Sequence, residues 1–101
     1  MFKRYLVMLR GEHFPIKDED GNVRIMGFVT SRTVFAQSPD DAEVLAVKLI
    51  KNDASLMNVI DIEKFSSLNP PSIYLVEMSL VSWWTIKRKG YVFFEEGVQN
   101  S

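Results

Sequence analysis

Cysteine is absent from the 101-residue chain, which excludes disulfides, thiolate metal sites and cysteine nucleophiles and gives no reason to invoke an oxidising compartment. Histidine occurs once, so no pair of imidazoles can hold zinc. No serine stands in a nucleophile-elbow sequence, and no two of the five glycines have dinucleotide or Walker spacing. A surplus of one charge is lacking too. Twelve basic against thirteen acidic residues give a formal charge of -1, so the molecule as a whole has no pull towards nucleic acid or an anionic membrane. Long apolar runs are also missing: only Tyr5 to Leu9 separates Arg4 from Arg10, short of the roughly 7–15 residues of a signal core and the roughly 20 of a membrane span. The stretch reads as a first strand and the chain as a cytoplasmic protein. What is present, 47% hydrophobic and 25% charged residues with four prolines, is the composition of one globular domain over 1–101 with a single modest core. No cofactor is implied.

The best-marked element is a helix from Ser38 to Asn52. Ser38 is a good N-cap, Pro39 suits the first helical position, and Lys48 and Lys51 place positive charge in the last turns. Ala42, Leu45, Ala46, Leu49 and Ile50 follow three-four spacing and predict the buried stripe, with Val44 and Val47 pointing away from it. Before the helix, Lys3 to Glu12 and Val23 to Gln37 read as two strands joined by the polar turn 17–22, with Gly27 a candidate bulge. After it, residues 53–69 predict a short helical turn within a loop, ended by Pro70 and Pro71. Ser72 to Trp84 and Tyr91 to Glu95 then read as strands flanking the basic turn Lys87-Arg88-Lys89-Gly90.

The expected architecture is therefore α+β: a four-stranded, largely antiparallel sheet in ββαββ order with the helix on one face. Strands one and three are apolar at both parities, and one helix covers only one face. At about 25 cal/mol per Å² of apolar surface, leaving the other face bare forfeits several kcal/mol in a small domain. A second copy, or else the 53–69 segment, is expected to cover it, with Tyr74, Val76, Met78, Leu80 and Trp84 as the partner contact.

Three motifs invite chemistry. Asp18, Asp20 and Asn22 imitate the start of a calcium loop, but Val23 and Val29 occupy the positions that need glycine and a bidentate carboxylate, so a hairpin turn is preferred. Lys89-Gly90-Tyr91-Val92-Phe93-Phe94 resembles the start of the aromatic strand of RNA-recognition domains, although Val92 and Glu96 break the motif and the topology differs. From it survives an alternative in which Trp83, Trp84, Lys87, Arg88, Lys89 and Tyr91 bind single-stranded nucleic acid by charge and stacking. Arg10, Glu12, His13 and Arg32 can form a polar cluster through hairpin pairing. It is read as a structural ion pair before it is read as a small enzyme using His13 and Glu12.

The segments 9–14 (Leu-Arg-Gly-Glu-His-Phe), 27–32 (Gly-Phe-Val-Thr-Ser-Arg) and 42–53 together resemble a group of small uncharacterised bacterial proteins of similar length. The resemblance implies a bacterial cytoplasmic domain with a hairpin, helix, hairpin plan, and brings no activity or site residue. The hairpin followed by a capped helix is also similar to antitoxins of the HicB type, without a matching functional motif. The expected function is a non-enzymatic protein-interaction module acting as a homodimer through a sheet face or edge.

Overall fold

A computed structural model describes residues 1–65, 69–82 and 90–96. Strands β1 (Lys3–Lys17) and β2 (Val23–Ala36) form a long antiparallel hairpin. Its turn closes because the Asp18 carboxylate accepts hydrogen bonds from the backbone N–H groups of Asp20 and Asn22, while Gly21 takes φ 84°, open to glycine at no steric cost. Asp18 thus serves the turn.

Helix α1 (Pro39–Lys51) begins where the sequence marks it: the Ser38 hydroxyl accepts from the Asp41 N–H at 3.2 Å. Segment 53–65 holds a four-residue helix α2 (Ala54–Met57), capped by Asp53, and a 3-10 turn at Ile62–Lys64. Strands β3 (Ser72–Leu80) and β4 (Tyr91–Glu95) follow. The result is an α+β arrangement with one main helix and a four-stranded antiparallel sheet in the order β3-β1-β2-β4. The two short helical turns interpose between α1 and β3, so the element order is richer than plain ββαββ. No helix among the described residues is long and apolar enough to cross a membrane.

The core lies between α1 and one face of the sheet. Tyr5, Val7 and Leu9 of β1 and Phe28, Val34 and Ala36 of β2 are buried there against Ala42, Ala46 and Ile50. Two of the inward helix residues are alanines, which lets α1 lie close to β2 and β1; it touches β3 little. The stripe expected on α1 needs correction. Leu45 and Leu49 are 39% and 49% exposed, and Val47, expected to point away, packs against the core. The helix is rotated so that Leu45 and Leu49 overhang β2, where they border a shallow depression with Phe35.

Segment 53–65 does not cover the far face either. Leu56 and Ile60 join the same core as α1, and Ile60 bridges to Ile16 at the end of β1. The far face, carrying Leu6, Met8 and Val29 half-buried and Phe35 and Val92 exposed, has α1 and α2 on its opposite side. Two arginines lie across part of it, Arg4 over the Phe35 ring and Arg10 at 4.5 Å from the Phe94 centroid.

Gly27 lies at one of the two irregularities: it pairs in register with Phe94 of β4, but on its β1 side the register shifts, and the extra residue is on β1 rather than at Gly27 itself. The shift falls between Gly11 and Phe14, where His13 takes φ 65°. The other lies in β3: Met8 pairs with Glu77 and Leu9 with Leu75, leaving Val76 as the extra residue. Gly11 and Gly27 serve a further purpose. Each faces an aromatic ring across the ladder, Phe28 over Gly11 and Phe94 over Gly27, in the space a Cβ would occupy.

Candidate functional site

The Val76 bulge decides how β3 presents its side chains. Strand residues alternate between faces, and an extra residue reverses the parity. Met78 and Leu80, opposite Val7 and Tyr5, lie on the helix side, whereas Tyr74, opposite Arg10, lies on the far side. The expected contact set of Tyr74, Val76, Met78 and Leu80 therefore does not share one face. It shares an edge, because β3 ends the sheet. Trp84 lies outside the described residues. Met78 is half-buried against the core, but Tyr74, Leu75, Val76 and Leu80 are exposed, Leu80 at 60%.

The polar cluster divides in two. Arg10 and Glu12 pair at 3.1 Å on the far face, and the Tyr74 hydroxyl donates to the same Glu12 oxygen at 2.7 Å. Glu12, as an acceptor, holds that phenol above its ordinary pKa. His13, turned aside by the bulge, pairs instead with Glu96: its Nδ1 is 2.8 Å from one carboxylate oxygen and its backbone N–H donates to the other. His13 and Glu12 are not brought into a shared acid-base arrangement: each has its own partner, Glu96 for His13 and Arg10 with Tyr74 for Glu12.

Arg32 belongs to neither group. It projects from β2 into the helix side opposite Val7 and is only 5% exposed. A charge in that position needs fixed partners, since stranding it costs several kcal/mol or more. It finds them in Asp53 (2.9 Å), the Tyr91 hydroxyl (2.9 Å) and the Thr30 hydroxyl (2.7 Å). Tyr91 donates in turn to Asp53 at 2.7 Å, and the second Asp53 oxygen accepts from the Ser55 N–H to cap α2. One carboxylate thus ties β2, α2 and β4 together. Asp53 and Thr30 escaped the sequence reading, although Arg32 at the inward parity of Phe28, Val34 and Ala36 was a signal that an acid had to meet it.

Tyr91, expected as a base-stacking residue, has its ring against Phe28 and Phe93 with Arg32 over it, and its hydroxyl is engaged. Burial, then the bond to Asp53, raises its pKa. This removes one stacking position from the nucleic-acid alternative; Trp83, Trp84, Lys87, Arg88 and Lys89 lie outside the described residues.

The Tyr91 bond, opposed by burial and aided by the Ser55 N–H and Arg32, holds the Asp53 carboxyl below the ordinary aspartate range. A depressed folded pKa contributes stability that is fully present above the unfolded value and is lost as pH falls through the folded one. Thermal unfolding of the wild type should therefore decline more steeply than that of Asp53→Asn as pH falls below about 4. Parallel curves for the two proteins in acid would show that this carboxylate is not held by the network.

Among the described residues no group of three or more His, Asp or Glu side chains is placed to hold a metal ion. Four exposed large apolar side chains, Tyr74, Leu75, Val76 and Leu80, follow one another along the β3 edge. Comparison with protein-family models, curated proteins and solved structures finds no match, so any reading of function rests on this geometry.

Proposed function

We propose that the protein is a non-enzymatic interaction module that pairs with a second copy of itself through the edge of β3. The observation that carries this reading is the state of that edge: seven of its nine residues are exposed, among them Tyr74, Leu75, Val76 and Leu80, and Glu77 is its one charge. Soluble proteins normally blunt such an edge with lysine, proline or a covering element, because its unpaired N–H and C=O groups template another strand. Here the prolines stop at Pro71, one residue before β3 begins. Since α1 lies over β1 and β2, the helix side of β3 is also left open, and Leu75 and Leu80 line a groove beside the start of α1. Antiparallel pairing of β3 with its own copy about a two-fold axis would continue the sheet and bring these side chains against their symmetry mates.

Sedimentation velocity over a micromolar concentration series tests the reading. The wild type should sediment as a dimer. The double variant Leu75→Lys/Leu80→Lys, altered where the monomer already exposes both side chains, should keep its fold and weaken association by about a hundredfold, since each lysine strands or must withdraw a charge at the contact. A wild type that remains monomeric across the series, or a double variant that dimerises as well as the parent, would overturn the proposal.

A further inference from the structure

At the opposite end of α1 from that groove the core opens into a cavity of about 460 Å³, within the range of about 300–1,000 Å³ typical of small-molecule sites. Its wall is apolar and built on regular elements: Phe14 from β1, Leu56 from α2, Ile73 from β3, and Ile60, which bridges to β1. Its surroundings mark it as more than a packing gap. Met57, Ile62 and Phe65, three of the large apolar side chains the protein leaves exposed, all border this one opening. Scattered exposed apolar residues need no explanation, but their convergence on one concave opening does.

The polar chemistry at the opening has one sign. Lys51 and Ser72 are the polar residues that line it, and no described acidic residue does so. Lys51 is exposed and has no carboxylate partner among the described ion pairs. An ammonium group beside an apolar chamber matches a ligand with a hydrocarbon body and a single anionic end. The ammonium would meet that end where water still reaches it, so the charge contributes selectivity more than affinity.

We propose that this cavity binds a monomeric medium-chain carboxylate, with its hydrocarbon chain against Phe14, Leu56, Ile60 and Ile73 and its carboxylate at Lys51. The site takes Ser72 and Ile73 from the first residues of β3 but not Leu75 or Leu80, and the ligand titration reads it apart from the oligomeric state.

Calorimetric titration of the full chain with decanoate, kept below its micelle concentration, tests the assignment, with decanol and decyltrimethylammonium as neutral and cationic comparators. Saturable binding of one decanoate per chain is expected, tighter than the cationic analogue by about threefold or more. Lys51→Gln should abolish that preference while leaving decanol unaffected. Ile73→Trp should fill the chamber and weaken all three ligands by about tenfold; where that variant does not fold, Met57→Asp at the exposed rim serves the same purpose for decanoate. Absence of saturable binding, equal affinity for the three head groups, or an unchanged preference in Lys51→Gln would overturn the assignment. So would decanoate uptake that occurs only as partition into vesicles added with the protein.

Discussion

Phe28→Ala is expected to lower the unfolding free energy by about 3–5 kcal/mol, the usual cost of truncating a buried phenylalanine. Phe28 has no exposed surface and meets three other rings, Phe14 at 5.2 Å, Tyr91 at 5.3 Å and Phe93 at 6.0 Å between centroids. It therefore joins β1, β2 and β4 in one aromatic contact. The residue facing it across the ladder is Gly11, which has no side chain with which to refill the space. The loss should accordingly fall at the upper end of the range, because the cost of a cavity depends on how far its surroundings collapse. Against a total of about 5–15 kcal/mol for a small domain, such a loss leaves little margin. Urea titration reads it as a lower midpoint with unchanged slope. A loss under about 1 kcal/mol would mean that the ring is not packed as described.

Arg32→Ala should cost nearly as much, for an electrostatic reason. Removing the guanidinium leaves Asp53 without its cation and deprives the Tyr91 hydroxyl of a donor. Breaking a buried pair from one side costs about 3–5 kcal/mol. Asp53, with a quarter of its side chain reached by solvent, keeps the bonds from Tyr91 and Ser55, which places the cost near the lower figure, about 3 kcal/mol. Replacing both charges, as Arg32→Met/Asp53→Asn, should recover much of it, because an apolar side chain of similar length fills the space and the amide still caps α2. The double-mutant cycle is the decisive measurement. Coupling of at least about 1 kcal/mol between the two positions is expected, and strict additivity would rule out a direct partnership.

These two sites show what the sequence made legible. Local signals read well. Ser38 and Pro39 announced α1 because a helix start is a few residues of backbone chemistry, and the 17–22 turn was marked by Asp18 and Gly21 for the same reason. Long-range geometry read less well. Periodicity locates a stripe on α1 but not its rotation about the helix axis: it predicts Leu45 and Leu49 buried, whereas Val47 is the one that packs. In β3 a single extra residue at Val76 undid the parity argument that had grouped Tyr74 with Met78 and Leu80. Such a bulge is a response to the pairing strand, and that strand, β1, lies some 70 positions earlier in the chain. Hairpin proximity groups Arg32 with Arg10 and Glu12, yet Arg32 stands opposite Val7 on the helix side while Arg10 stands opposite Val29 on the far side, and the partners of Arg32 lie on α2's cap and β4.

The two glycine and phenylalanine pairs carry a consequence for the sheet as a whole. Phe28 fits over Gly11 on the helix side and Phe94 over Gly27 on the far side. A strand that slipped by one position would drive each ring into a neighbour that has a side chain, and would also turn its buried residues outward. The pairs therefore work like two wards of a lock, one fixing β1 to β2 and the other β2 to β4. Each occupies a different face, so no single sliding motion could satisfy both. The alignment of three strands is thereby keyed by shape, leaving β3 as the strand whose place is held without such a key.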